Sequence, residues 1–140
     1  MKIFEWDGNR KSLLSLLWIF LTVNYIFCDV MTLHLAKYLE AFLSGDVGGM
    51  KITEEFLLVF AFIMQIPMLM IVLSKFLTFT LNKYFNIVAG IITTSVQAFT
   101  VMMGGATFHY MFFSLFEICT GLLIIYLAVN WKQDTAPLHK

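Results

Sequence analysis

The sequence predicts an all-α integral membrane protein, a single domain in which four transmembrane helices form an antiparallel bundle. Composition is the first reason: 60% of the 140 residues are hydrophobic, 13% are charged, and the mean hydropathy is +0.84. Soluble domains are about 45–50% apolar and about 25% charged. The second reason is length, since a spanning helix needs about 20 mainly apolar residues. Four stretches, joined by short connections, reach that length: 12–35, 53–75, 84–103 and 107–129.

The first helix follows Arg10 and Lys11. It resembles a secretory signal peptide in position, but it is longer, and the bulky residues before Cys28 do not form a cleavage site, which requires small residues. We therefore expect this helix to be retained.

The connection 36–52 is the longest and is predicted to lie outside. It begins with "AKYLEAFLSG", which can continue as an amphipathic helix on the membrane surface until Gly45. The second helix is expected to start at Thr53, because Glu54 and Glu55 then lie at the positive end of the helix dipole.

Polar or flexible residues also delimit the third and fourth helices. Asn82 and Lys83 precede the third helix, and Gly104-Gly105 separates it from the fourth. These connections leave no room for a separate soluble domain.

Lysine and arginine are distributed unequally between the two sides of the predicted bundle. Seven lie on the side of the termini: Lys2, Arg10, Lys11, Lys75, Lys83, Lys132 and Lys140. Lys37 and Lys51 lie on the other side. The positive-inside rule therefore predicts that both termini are cytoplasmic, with Tyr84, Trp131 and Trp6 as aromatic anchors at that interface.

Polar and small residues recur three or four positions apart, and therefore on one helix face, in three of the helices. The first helix has Trp18, Thr22, Tyr25 and Asp29; the third has Asn86, Gly90, Thr93, Gln97, Thr100 and Gly104; the fourth has Tyr110, Ser114, Glu117 and Gly121. The second contributes Gln65, with Ala61 and Met68 on the same face, and Pro67, where a kink is expected. We expect these faces to line the interior of the bundle.

The helical rise places the polar residues at different depths. At about 1.5 Å per residue, Asn24, Gln65 and Glu117 lie near the midplane of an apolar core about 30 Å thick. Asp29 and Gln97 lie about 10 Å below the outer surface. The prediction is a polar funnel that opens outward and ends at Glu117, with fewer polar groups in the cytoplasmic halves.

Glu117 is the main candidate for a functional residue, because an acid inside the hydrocarbon is costly and by default suggests a site. The alternative is a neutral, structural acid that is hydrogen-bonded by Gln65 or Asn24. The amides have two interpretations as well: interhelical hydrogen bonds worth about 0.6 kcal/mol each, or the lining of a pocket. The predicted ligand-binding or proton-coupling residues are Glu117, Asp29, Asn24, Tyr25, Gln65, Gln97, Tyr110 and Ser114.

Several other classes of protein lack support in the sequence. A net charge of zero and 13% charged residues provide no basic patch for nucleic acid. His34 and His109 lack a flanking ligand motif, and two cysteines make neither a disulfide framework nor a zinc site. The sequence contains no catalytic signature, so we predict no cofactor, with a haem or quinone redox protein as the weakest alternative.

Five segments carry a resemblance to a known family. They are "LWIFLTVNYIFCDV" from Leu17, "VGG" from Val47, "QIPMLMIVLS" from Gln65, "NIVAGI" from Asn86 and "YMFFSLFEI" from Tyr110. In order and spacing the chain resembles small bacterial four-helix membrane proteins that are known only as a domain of unknown function and are loosely similar to DoxX-like proteins. The resemblance implies a bacterial inner-membrane protein without an established substrate. It points to Asn24, Tyr25, Asp29, Pro67, Asn86 and Glu117 as positions that match the family's pattern.

Together these observations predict a non-enzymatic protein of the lipid bilayer that binds or transports a small apolar or cationic ligand in the outward-opening funnel. A homodimer or a membrane-protein partner is expected to complete it. The alternative is a structural or accessory subunit of a larger membrane complex.

Overall fold

The computed structural model describes residues 9–47, 49–103 and 107–132. They form five helices: α1 (Arg10–Leu33), α2 (Ala36–Ser44), α3 (Glu54–Phe76), α4 (Phe79–Met102) and α5 (Phe108–Val129). A hairpin of two antiparallel strands, β1 (Asp46–Val47) and β2 (Met50–Lys51), connects α2 to α3. The all-helical prediction is confirmed, with one helix more than the four expected spans. The four long helices, α1, α3, α4 and α5, are long and apolar enough to cross a membrane.

The predicted outer loop consists of α2 and the hairpin. Helix α2 ends at Gly45, whose φ of 73° is left-handed and whose N–H donates to the last turn. Glycine adopts this conformation without a steric penalty, and it commonly terminates helices in this way. The expected helical segment before Gly45 is therefore confirmed. The hairpin was not expected, since its two-residue strands are too short to show an alternating pattern.

Helix α4 begins at Phe79, five residues before the predicted start at Tyr84. Its connection to α3 consists of Leu77 and Thr78. Asn82 lies within the helix, where its amide donates to the carbonyl oxygen of Ser74 at 2.7 Å. Because this polar side chain is satisfied inside the fold, it does not mark a helix boundary.

Four cations gather at one end of the long helices: Arg10, Lys11, Lys75 and Lys83. Lys11 Nζ donates to the carbonyl oxygen of Leu77 at 2.6 Å, and Arg10 Nη1 donates to that of Leu127 at 3.0 Å. Lys83 Nζ donates to the last carbonyl of α5 at 2.9 Å. Carbonyls at a helix C-terminus lack intrahelical partners and carry partial negative charge, so the cations stabilise the ends of α3 and α5.

The apolar core lies in the half of the bundle nearer these cations. All four long helices contribute to it: Leu14, Trp18 and Leu21 from α1, Met70 from α3, Ala89 from α4 and Ile124 from α5. Trp131 packs beside this core and contacts Phe79 edge to face, with ring centroids 5.3 Å apart. Tyr84, another predicted anchor, is exposed. The features predicted at Lys2, Trp6, Gly104, Gly105 and Lys140 lie outside the described residues.

Candidate functional site

Glu117 lies near the middle of α5, nine residues after Phe108 and twelve before Val129, with 1% of its surface exposed. Both carboxylate oxygens are buried, and neither has a hydrogen-bond partner among the described residues. A buried polar group without a partner costs free energy, and a buried charge costs more. Both polar atoms of the Glu117 side chain are therefore unsatisfied within the described structure.

The buried face of α5 explains why Glu117 points inward. Ser114, Glu117 and Gly121 are all buried and recur at helical spacing, as predicted. A Cβ atom at Gly121 would collide with Thr94 Oγ1, so glycine allows α4 and α5 to approach closely here. The Thr94 hydroxyl is also buried and has no hydrogen-bond partner within the described part of the chain.

Two hydrogen bonds join α4 to α5. Both lie between the level of Glu117 and the end of the bundle near α2. Gln97 Nε2 donates to Ser114 Oγ at 2.7 Å, and the Tyr110 hydroxyl donates to Thr100 Oγ1 at 2.8 Å. These contacts bring three of the predicted site residues together. The structure therefore pairs their polar groups across the helices.

Helix α1 places further predicted residues near Glu117. Tyr25 is half-buried, lies beside the hydroxyl of Thr93, and is within electrostatic range of Glu117. Cys28 is buried on the same side of α1. Asp29 is also within electrostatic range of Glu117 but is exposed, one turn before the end of α1. Asp29 therefore lies at the rim of the site and Tyr25 inside it.

Two predicted residues lie apart from this cluster. Asn24 Nδ2 donates to the carbonyl oxygen of Phe20 in its own helix at 3.0 Å. Gln65 is exposed on the outer surface of α3, because this helix turns the opposite face, with Pro67 and Met70, into the bundle. The expected inward orientation of Gln65 is therefore wrong, and neither amide reaches Glu117.

The cavities differ from the expected funnel. Tyr25, Thr93 and Gln97 line a cavity of about 20 Å³. One buried water needs about 10–15 Å³, so the cavity accommodates one water-sized group. A cavity of about 340 Å³ lies instead between α3 and α4, where apolar side chains such as Leu69 and Val88 form an outward-facing groove. The described structure therefore shows a small cavity beside Tyr25, Thr93 and Gln97 rather than a polar funnel that ends at Glu117.

The half of the bundle nearer the cations contains a polar network that was not predicted from the sequence. Trp18 Nε1 donates to Asn86 Oδ1 at 2.7 Å, and Asn86 Nδ2 donates to Asn82 Oδ1 at 2.6 Å. Ser74 Oγ also donates to Asn86 Oδ1, at 3.3 Å. All four side chains are fully buried. The expectation of fewer polar groups in this half was wrong; Asn82, four residues before Asn86, extends the polar face of α4 by one turn.

His34 and His109 lie near the end of the bundle opposite the cations. The two cysteines lie apart from each other. Thr32 Oγ1 and His109 Nε2 are 3.2 Å apart and join α1 to α5, whereas His34 contacts its own helix. Cys28 is buried and Cys119 is exposed, and both are free. Within the described ranges, no group of three or more His, Cys, Asp or Glu side chains is arranged to hold a metal ion.

Four long apolar helices define the class of this protein as an all-helical protein with four candidate membrane spans. Over residues 1–137 the chain matches the model of DUF6326, a family of unknown function, and it belongs to that family. No curated protein and no solved structure matches the chain. The predicted membership of a family of unknown function is confirmed, while a relationship to DoxX-like proteins stays a prediction.

Proposed function

We propose that this protein resides in a bacterial inner membrane and that Glu117 binds a proton or a small cationic ligand there. The four long apolar helices support the membrane location, and neighbouring spans would then alternate in direction. The described cations at the end of the bundle with Arg10 and Lys132 support cytoplasmic termini, because positive residues favour the cytoplasmic side.

One observation carries this proposal: both oxygens of Glu117 are buried and have no hydrogen-bond donor among the described residues. A purely structural side chain would be expected to use its polar atoms, as Asn86 and Gln97 do in the same bundle. A carboxyl group with two free oxygens is instead suited to exchange a proton or to coordinate a cation.

Glu117 is 1% exposed and lines neither of the two cavities described above, which limits the size of its ligand. A cavity of about 20 Å³ beside Tyr25 and Gln97 accommodates a group the size of one water molecule. A proton or a small cation therefore fits this conformation. A larger cation would require the Gln97–Ser114 and Tyr110–Thr100 hydrogen bonds to separate, and transport would additionally require the network around Asn86 to open.

Infrared spectroscopy of the protein in proteoliposomes tests the proposal, because a protonated carboxyl group has its own C=O stretching band. We expect a band that grows as the pH falls, that is absent in Glu117→Gln and that persists in the matched control Asp29→Asn. Binding of a small cationic probe, the ammonium ion, should also fall in Glu117→Gln.

A Glu117 band that stays constant over the whole pH range in which the protein is folded would identify a fixed, neutral acid. Together with unchanged probe binding in Glu117→Gln, that result would refute the proposed role.

A structural or accessory subunit is the second candidate function. The observation that favours it is the outward position of Gln65, since an amide on an otherwise apolar surface is suited to a protein contact. Purification in a mild detergent distinguishes the two functions: a stoichiometric membrane-protein partner supports the accessory role.

A further inference from the structure

Gln65 occupies the midpoint of α3, eleven residues from both Glu54 and Phe76. At a rise of about 1.5 Å per residue, its Cα lies about 16 Å from either helix end, which is too far for a glutamine side chain to reach an interface with water. The side chain is exposed, and no described residue forms a hydrogen bond with it. In a bilayer this amide would face hydrocarbon, where unpaired polar groups are costly.

The residues around Gln65 form a regular seam on α3. Leu58, Ala61, Gln65, Met68 and Val72 are spaced alternately three and four residues apart, and all five are exposed. This is the spacing of a helix that packs along its length against another helix. Ala61, one turn from Gln65, is small enough to allow close approach of a second backbone. We call these five residues the α3 seam.

Helix α3 is also the least covered of the long helices in the described structure. In its most apolar window of 18 residues, 11% of the residues are buried, compared with 28% for α1 and 33% for both α4 and α5. The face opposite the seam supplies its contacts within the bundle, through buried Pro67, Met70 and Ser74. The α3 seam is therefore available to another helix.

We propose that a second copy of this chain covers the α3 seam, with the two α3 helices packed about a twofold axis and their Gln65 amides hydrogen-bonded to each other. An amide carries both donors and an acceptor, so it is complementary to its own copy across a twofold axis. The other four residues of the α3 seam are apolar and uncharged, so they can also pack against their own copies. A single polar residue in an apolar helix seam is a known means of fixing register and oligomeric state.

Disulfide cross-linking in native membranes tests the geometry. In a Cys119→Ser background that retains buried Cys28, single substitutions Ala61→Cys and Met68→Cys should produce covalent dimers under mild oxidation. Val59→Cys is the matched control, since Val59 is 57% exposed on the same helix but lies on another face. Equal cross-linking at all three positions, or none at any, would overturn the proposal.

Energy transfer between labelled copies of the protein measures dimerisation in vesicles of decreasing protein-to-lipid ratio. It tests whether the Gln65 amide stabilises the dimer. Gln65→Leu keeps the seam apolar and should weaken dimerisation about three- to thirtyfold, the effect of a hydrogen bond worth about 0.6–2 kcal/mol. Dimerisation that is unchanged or stronger would contradict amide pairing, as would a different protein found cross-linked to the α3 seam. Glu117→Gln should dimerise like the unmodified protein, which separates this inference from the proposed function.

Discussion

Gly121→Ala adds one methyl group where α4 and α5 approach most closely. The new Cβ would collide with Thr94 Oγ1 and would lie 3.3 Å from Thr94 Cβ. Threonine has two common rotamers in a helix, but the close approach to Thr94 Cβ persists in both, so the helices must move apart slightly. Overpacking of this kind costs about 1–3 kcal/mol, whereas replacing glycine by alanine within a helix returns about 0.5–1 kcal/mol. From the central values of these ranges, we expect Gly121→Ala to destabilise the protein by about 1 kcal/mol.

The Thr94→Ala background should reverse the sign of this effect. The Thr94 hydroxyl has no hydrogen-bond partner in the described structure, so its removal forfeits no bond. Without the collision, only the favourable effect of replacing glycine by alanine within a helix remains. Gly121→Ala should then stabilise the helix by about 0.5–1 kcal/mol. The two substitutions should therefore show a coupling energy of about 1–3 kcal/mol.

Reversible unfolding in mixed detergent micelles, followed by the loss of helical circular dichroism, measures these free energies. Gly90→Ala is the matched control, because a Cβ there would lie 2.8 Å from Ile125 Cγ1, a contact that does not involve Thr94. Thr94→Ala should leave the effect of Gly90→Ala unchanged. If Thr94→Ala fails to rescue Gly121→Ala, or rescues both glycine variants equally, the contact between α4 and α5 is not the one described.

Two further substitutions test hydrogen bonds by the same unfolding measurement. Trp18→Phe removes the indole donor to Asn86 and should lower the free energy of unfolding by about 1–3 kcal/mol. The exposed control Phe20→Leu should lower it by less than about 0.5 kcal/mol. Equal losses for the two variants would contradict the network. Thr53→Ala removes the side-chain cap on α3 and should cost about 1 kcal/mol. Thr78→Ala should cost less, because Thr78 makes no side-chain cap bond, and a larger loss there would contradict the cap geometry.

The long helices and much of the inward face of the site were predictable. Their apolar lengths identify the four candidate spans, and the spacing of Ser114, Glu117 and Gly121 correctly identifies the buried face of α5. This succeeds because several polar or small residues share one face while the other faces of the helix are apolar. The periodicity of a single helix then fixes which side turns inward.

The orientation of Gln65 was not predictable in the same way. Helix α3 is apolar on all sides, with a mean hydropathy of 2.7 in its best window, and one amide does not define a face. The buried position of Asn82 was missed because its partner, the carbonyl of Ser74, lies across the α3–α4 connection. Pairing of Gln97 with Ser114 likewise depends on how closely α4 and α5 approach, which no local pattern specifies.

The buried network of Trp18, Asn82, Asn86 and Ser74 also bears on the movement of charge. Indole, amide and hydroxyl groups do not titrate under ordinary conditions, so none of these four side chains can hold a proton as a carboxylate does. The network therefore provides no titratable group in the half of the bundle nearer the cations. A proton exchanged at Glu117 in this conformation would leave by the route through which it entered.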